Sequence, residues 1–176
     1  MADGRRRSGR LPAVFDDIES ANRSYAESFP LSGLAATAAR GLGVVTCIDS
    51  RIEPLQMLGL GPGDAKILRN AGARVTEDVL RSLVLATNLL GVTRICVVQH
   101  TDCRLLKASN DELQASISRL RGVDASGWDF LPIGDPERTL RADVDRIRNC
   151  PLLPPGLDIA GFVYDVGTGR LGRSGT

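Results

Sequence analysis

Residues 43–48 read Gly43-Val44-Val45-Thr46-Cys47-Ile48, a β-branched apolar run without polar–apolar alternation. A strand with one wet face alternates with period two. A run that is apolar throughout suits a strand covered on both faces, as in a parallel sheet. Arg94-Ile95-Cys96-Val97-Val98-Gln99 has the same character. Ala65-Lys66-Ile67-Leu68-Arg69 and Gly161-Phe162-Val163-Tyr164-Asp165-Val166 read as two further strands, the first running into a turn at Asn70-Ala71-Gly72. Helical patterns lie between them. Residues 54–60 fit a short helix ended by the glycine-rich stretch 59–63. Thr76 is a predicted N-cap with Glu77 and Asp78 in the first turn; Val79, Leu80, Leu83, Val84, Ala86, Thr87 and Leu90 follow at helical spacing until Gly91. Residues 111–121 and 136–149 also read as helices, the second with Pro136 near its first turn. Strands alternating with helices predict a single-domain α/β protein with a mostly parallel β-sheet flanked by helices.

Residues 14–28 predict a further helix, with Asp16 or Asp17 as cap and Val14, Phe15, Ile18 and Tyr25 on a partly apolar face. Residues 1–13 read as a flexible basic tail, with Arg5, Arg6, Arg7 and Arg10 among Gly and Ser. No apolar stretch suited to a signal peptide follows, and the folded domain is expected over residues 14–176. The segment Pro151-Leu152-Leu153-Pro154-Pro155-Gly156 reads as a surface connection.

The 176 residues are 43% apolar and carry a net charge of +1, values of an ordinary soluble protein. Near-neutral charge argues against nucleic acid as a partner, because phosphate binding needs a concentrated cationic face. No run approaches the roughly 18 apolar residues of a membrane span. A cytoplasmic location is the default expectation. The four cysteines, Cys47, Cys96, Cys103 and Cys150, then read as ligands, nucleophiles or small buried residues rather than disulfides.

Cys47 closes the first apolar strand and His100, the only histidine, closes the third. Open α/β sheets collect ligands outside the carboxyl ends of their strands. Cys103 follows His100 by three positions, a spacing that lets both side chains turn toward one point. Alone, His100 would read as a satisfied core residue; its two cysteine companions change that. Two thiolates and one imidazole suit zinc better than magnesium or calcium, and three protein ligands leave one position for water, the pattern of a catalytic site. A redox pair of Cys47 and Cys103 is the weaker reading, since no Cys-x-x-Cys spacing occurs. Cys47-Ile48-Asp49-Ser50-Arg51 adds a carboxylate and a guanidinium. Arg51 can hold Asp49 through paired hydrogen bonds, and an ionised Asp49 can accept a hydrogen bond from metal-bound water. A loop ion pair without catalytic part is the bland alternative. Cys96 reads as a buried apolar residue, and Trp128 and Phe130 as packing residues.

Cys47-x-Asp49-x-Arg51 followed by His100-x-x-Cys103 resembles the β-class carbonic anhydrases, in its short, single-domain form. Arg69-Asn70-Ala71-Gly72 and His100-Thr101-Asp102-Cys103 strengthen the likeness, which runs from about Val44 to Cys103 and more loosely through Gly161-Phe162-Val163-Tyr164-Asp165. The resemblance implies Zn2+ on Cys47, His100 and Cys103, with Asp49 and Arg51 as the family's dyad. In one state of some members the aspartate corresponding to Asp49 is itself a metal ligand; in the other it turns to Arg51. It further implies a homodimer or higher homo-oligomer in which the helix at about 14–28 packs on the partner subunit.

The implied reaction is reversible hydration of CO2 to bicarbonate by a zinc-bound hydroxide. With His100 committed to zinc, no histidine is left to carry the proton away, so turnover is expected to depend on buffer or on a carboxylate such as Asp49. Hydrolysis of carbonyl sulfide or carbon disulfide on the same zinc site is one alternative, and a non-catalytic zinc-binding interaction module another. The family commonly has Gly after the second cysteine, where this chain has Arg104. That cation can narrow the pocket, pair with Asp49 or point to solvent.

Overall fold

Successive strand residues point to opposite faces of a sheet, so burial of both Val44 and Val45 requires cover on two sides. Both are fully buried. The computed structural model describes residues 14–175, in two compact units divided after Leu34. The expected basic tail, residues 1–13, lies outside the described residues.

The first unit holds α1, Asp16–Glu27, none of whose residues is buried. Phe15 stands at its N-cap without a side-chain cap. Asp16 and Asp17, the expected caps, lie one step later in the first turn, where carboxylates favour the helix dipole instead.

The second unit contains a five-stranded sheet in the order β2-β1-β3-β4-β5. Strand β1 is Leu42–Cys47, β2 Ala65–Asn70, β3 Arg94–His100, β4 Asp158–Tyr164 and β5 Leu171–Arg173. The first four pair in parallel, and β5 returns antiparallel on β4. Strand β4 begins three residues before the expected start, and Ile48 falls just past β1. The three exposed residues of β5 offer too little apolar pattern to be read from sequence. Asp165 makes that return possible by accepting at Oδ1 from the backbone N–H groups of Gly167 and Thr168.

On one face, Val45, Ile95 and Val97 pack with Val79, Leu83 and Ala86 of α3, Glu77–Leu89, and with Leu140, Val144 and Ile147 of α5, Pro136–Arg148. On the other, Val44, Cys96 and Val98 pack with Ile67, Phe162, Met57 and Leu58. Met57 ends α2, Pro54–Met57, shorter than the expected 54–60. Thr76 caps α3 as its sequence predicts, accepting from the Val79 N–H. The remaining helix, α4, spans Asn110–Arg121 behind a reciprocal Ser109–Glu112 capping box.

Candidate metal centre

Cys47 is the last residue of β1, and His100 the last of the adjacent parallel strand β3. Beyond His100 the chain turns through Thr101 and Asp102 to Cys103, which opens a 3-10 turn at Arg104–Leu106. Two hydrogen bonds tie this turn to the end of β4. The Thr101 N–H donates to the Tyr164 carbonyl at 2.9 Å, and Thr101 Oγ1 accepts from the Val166 N–H at 3.1 Å. One ligand atom each from Cys47, His100 and Cys103 all lie within 4.8 Å of one another. All three residues are buried, and Cys47 and Cys103 pack in an apolar cluster with Ile52, Leu105, Leu113 and Ile133.

The donor chemistry fits a divalent ion. His100 Nδ1 lies 2.8 Å from the Thr101 carbonyl oxygen. A carbonyl only accepts, so Nδ1 carries the proton and Nε2 keeps its lone pair. That Nε2 is buried and has no hydrogen-bond partner among the described residues. An orphaned buried lone pair is costly, and coordination relieves it. Cys47 Sγ accepts the Gly72 N–H at 3.3 Å. The neighbouring Cys103 thiol is the main influence holding the Cys47 thiol well below its ordinary range; His100 and Gly72 act in the same direction. The Cys103 thiol is correspondingly pushed up. Burial disfavours the imidazolium of His100, but the adjacent Cys47 sulfur outweighs it and raises the pKa of the ring. One readily ionised sulfur, a second sulfur and a ring nitrogen with a free lone pair match zinc.

Asp49 and Arg51 lie on the turn after β1. Arg51 Nε donates to Asp49 Oδ1 at 2.9 Å and Nη2 to Oδ2 at 2.7 Å, a two-pronged pair. The Arg51 backbone N–H adds a third bond to Oδ1 at 2.9 Å. The Arg51 side chain, and then its backbone N–H, hold the Asp49 carboxyl far below the usual carboxylate range. Asp49 Oδ2 stands 3.9 Å from His100 Nε2, beside the three donors. Asp49 is thus turned to Arg51, as in one of the two states implied by the resemblance. Arg104 is exposed, and the guanidinium on Asp49 belongs to Arg51.

Two supports escaped the sequence reading. Arg69, on β2, donates from Nε to the Cys47 carbonyl at 2.9 Å and from Nη2 to the Asp49 carbonyl at 2.7 Å, pinning the segment that carries both. Farther back, the buried Asp143 of α5 accepts from Arg74 Nε at 2.7 Å and from the Val75 N–H at 3.1 Å. Asn70 closes the intervening turn, accepting from the Arg74 N–H at 2.9 Å and donating to its carbonyl at 2.6 Å. This turn presents the Gly72 N–H to Cys47. Arg69 and Asn70 stand in the stretch that strengthens the family resemblance, but neither they nor Asp143 show in sequence which backbone groups they meet; only the spatial meeting reveals it.

The family model described as carbonic anhydrase matches residues 42–124. Over 158 residues the chain is 34% identical to beta-carbonic anhydrase 1 of Mycobacterium tuberculosis, which covers 90% of this chain and 96% of that protein. The chain belongs to the β-carbonic anhydrase family. A crystal structure of the Streptococcus mutans carbonic anhydrase superposes on this family member with a TM-score of 0.86 at 41% identity, covering 93% of this chain and 99% of the other. A carbon disulfide hydrolase of Acidianus is 36% identical over 156 residues, covering 75% of this β-carbonic anhydrase and 76% of its own length.

Proposed function

We propose that this β-carbonic anhydrase interconverts CO2 and bicarbonate at a zinc ion held by Cys47, His100 and Cys103. The observation that carries the proposal is the convergence of two buried sulfurs and an unpartnered imidazole nitrogen beside the Asp49–Arg51 pair. A zinc ion held by these three residues would make a water acidic enough, with a pKa of about 7, to serve as a nucleophile at neutral pH.

The chain's own residues do the rest. Cys47 and Cys103 provide the negative charge that retains the ion. The Thr101 carbonyl fixes the His100 tautomer. Asp49, ionised and aimed by Arg51, accepts a hydrogen bond and so orients the attacking oxygen. Ile52, Leu105 and Ile133 make the surroundings dry, which suits a small apolar substrate and strengthens the local electrostatics. The single histidine is used as a ligand and Arg51 keeps Asp49 ionised, so the released proton leaves by way of external buffer.

The same donors suit carbonyl sulfide and carbon disulfide, which are also linear. The likeness to the M. tuberculosis protein extends over more of both chains than the likeness to the carbon disulfide hydrolase, and this favours CO2. The intact Asp49–Arg51 pair argues against a zinc-binding module without turnover. We further propose a homodimer or higher homo-oligomer, a reading supported by the exposed Phe15, Ile18, Tyr25 and Phe29 of the first unit.

Stopped-flow hydration of CO2 beside hydrolysis of carbonyl sulfide and carbon disulfide, on protein of measured zinc content, tests the reading. Fast CO2 hydration that rises with imidazole concentration is the expected result. Bound zinc with no turnover of CO2 would overturn it.

A further inference from the structure

Arg51 has a second carboxylate partner. The fork on Asp49 uses Nε and Nη2; the other terminal nitrogen, Nη1, donates to Asp102 Oδ2 at 2.7 Å. Nη2 also donates to the Asp102 backbone carbonyl at 3.3 Å. Asp102 presents carboxylate and carbonyl to one guanidinium because its backbone is left-handed, with φ +58°. Aspartate tolerates that region better than most residues, yet it costs free energy and recurs where a local geometry is being enforced. The second oxygen of the Asp102 carboxylate pairs with Lys107, just past the 3-10 turn opened by Cys103. Charges therefore alternate along Asp49, Arg51, Asp102 and Lys107.

The two carboxylates engage different N–H groups of Arg51 and do not compete. An arginine side chain left 45% exposed would otherwise sample many rotamers. Anchored at Nη1, its fork stays aimed at Asp49 whether or not Asp49 occupies it. Asp49 has two places to go: the Arg51 fork, or the donor pocket 3.9 Å away at His100 Nε2. A firmly placed guanidinium shifts that choice toward the fork.

Resting on the carbonic anhydrase reading, we infer that Asp102 and Lys107 are positioning residues: they clamp Arg51, and Arg51 so held keeps the Asp49 carboxylate out of the Cys47–His100–Cys103 pocket. Neither touches the reacting atoms. Their effect is on how often the pocket is open to water.

The test uses the zinc-loaded full chain and three variants. Asp102→Gly keeps the left-handed backbone while deleting the carboxylate. Lys107→Met removes the outer anchor at an exposed position, and Lys107→Arg retains its charge. For Asp102→Gly, kcat for CO2 hydration should fall by about fivefold, the scale an exposed ion pair commands, with KM and zinc content unchanged. Lys107→Met should fall less in the same direction, and Lys107→Arg should recover the parent value. Crystal structures of the zinc-loaded variants should show Asp49 withdrawn from Arg51 in Asp102→Gly. An unchanged kcat in both Asp102→Gly and Lys107→Met, or Asp49 still forked on Arg51 in the Asp102→Gly crystal, overturns the inference. If Asp102→Gly loses zinc, Lys107→Met and its arginine rescue decide. If the parent protein fails to hydrate CO2, the functional reading falls, and the position of Asp49 in the crystals still decides the inference.

Discussion

The backbone N–H of Gly72 points at Cys47 Sγ from 3.3 Å. Gly72 has φ +76°, and a Cβ built there would lie 2.7 Å from Leu105 Cδ1. One glycine thus serves three ends: it turns the chain after β2, leaves room for Leu105 of the apolar cluster, and donates to a ligand sulfur. Gly72→Ala should cost about 1–3 kcal/mol of stability through backbone strain. Zinc affinity should fall as well, because displacing the N–H removes a donor to Cys47. Urea denaturation and competitive zinc titration would measure the two effects.

Cysteine replacement should separate Cys47 and Cys103 from Cys150. Cys47→Ser and Cys103→Ser are expected to lose stoichiometric zinc and CO2 hydration together. Cys150→Ser should retain both, since Cys150 lies outside the donor group. Chelation of the native protein should lower its melting temperature, because an ion bound only by the folded state stabilises it by mass action. Metal analysis with calorimetry before and after chelation checks this, and an unchanged melting temperature would argue against the site.

Arg51→Lys should retain zinc yet lower CO2 hydration by about 10–100-fold, the usual cost of losing a group that orients a metal site from behind. A lysine ammonium is a point charge and cannot close a planar fork on Asp49. Steady-state kinetics beside a zinc assay would reveal it; activity within twofold of the parent would count against the fork.

Cys96 is buried mid-strand, and burial pushes its thiol up to about 11. Its pKa is therefore higher folded than unfolded. The neutral thiol's stabilising contribution is complete below about pH 9 and is lost as pH climbs through 11. The total loss is about 2–3 kcal/mol. Cys96→Ala should flatten this part of the stability curve. Denaturant midpoints of both proteins between pH 8 and 11 provide the comparison, and parallel curves would refute the assignment.

Asp143→Ala should destabilise by about 3–5 kcal/mol, because it leaves the Arg74 guanidinium with the Leu131 carbonyl but no carboxylate, and the Val75 N–H without an acceptor, in a buried setting. The turn at Gly72 should loosen with it, so the variant should bind zinc more weakly although position 143 touches no donor. Equilibrium unfolding and zinc titration would register both.

Much of the framework could be read along the chain. Val44-Val45 and Cys96-Val97-Val98 lack alternation because both sheet faces are covered, and that signature is local. Thr76 caps its helix through a bond to a residue three positions on, which a short window also contains. Arg69, Asn70 and Asp143 were opaque for the opposite reason. Their partners are the carbonyls of Cys47 and Asp49, the turn at Arg74, and the Val75 N–H, and polar residue types alone do not reveal which distant backbone group they will meet. Strand β5 has no legible signature in the sequence, because three exposed residues held by strand pairing carry no hydrophobic pattern.

The residue order by itself determined that Cys47 and His100 each close an apolar strand, hence that both would lie at the carboxyl ends of a parallel sheet with Cys103 nearby; that the two strands are neighbours was decided by the sheet order. It also determined the chemistry on offer: two sulfurs, one imidazole, one carboxylate and one guanidinium. Tertiary structure alone decided the rest. It selected the His100 tautomer through Thr101, turned Asp49 onto Arg51, set Arg104 in solvent, and brought the Gly72 N–H to Cys47. Those outcomes depend on angles and distances between segments remote in sequence, and hydrogen-bond energy falls away within a fraction of an ångström and a few tens of degrees.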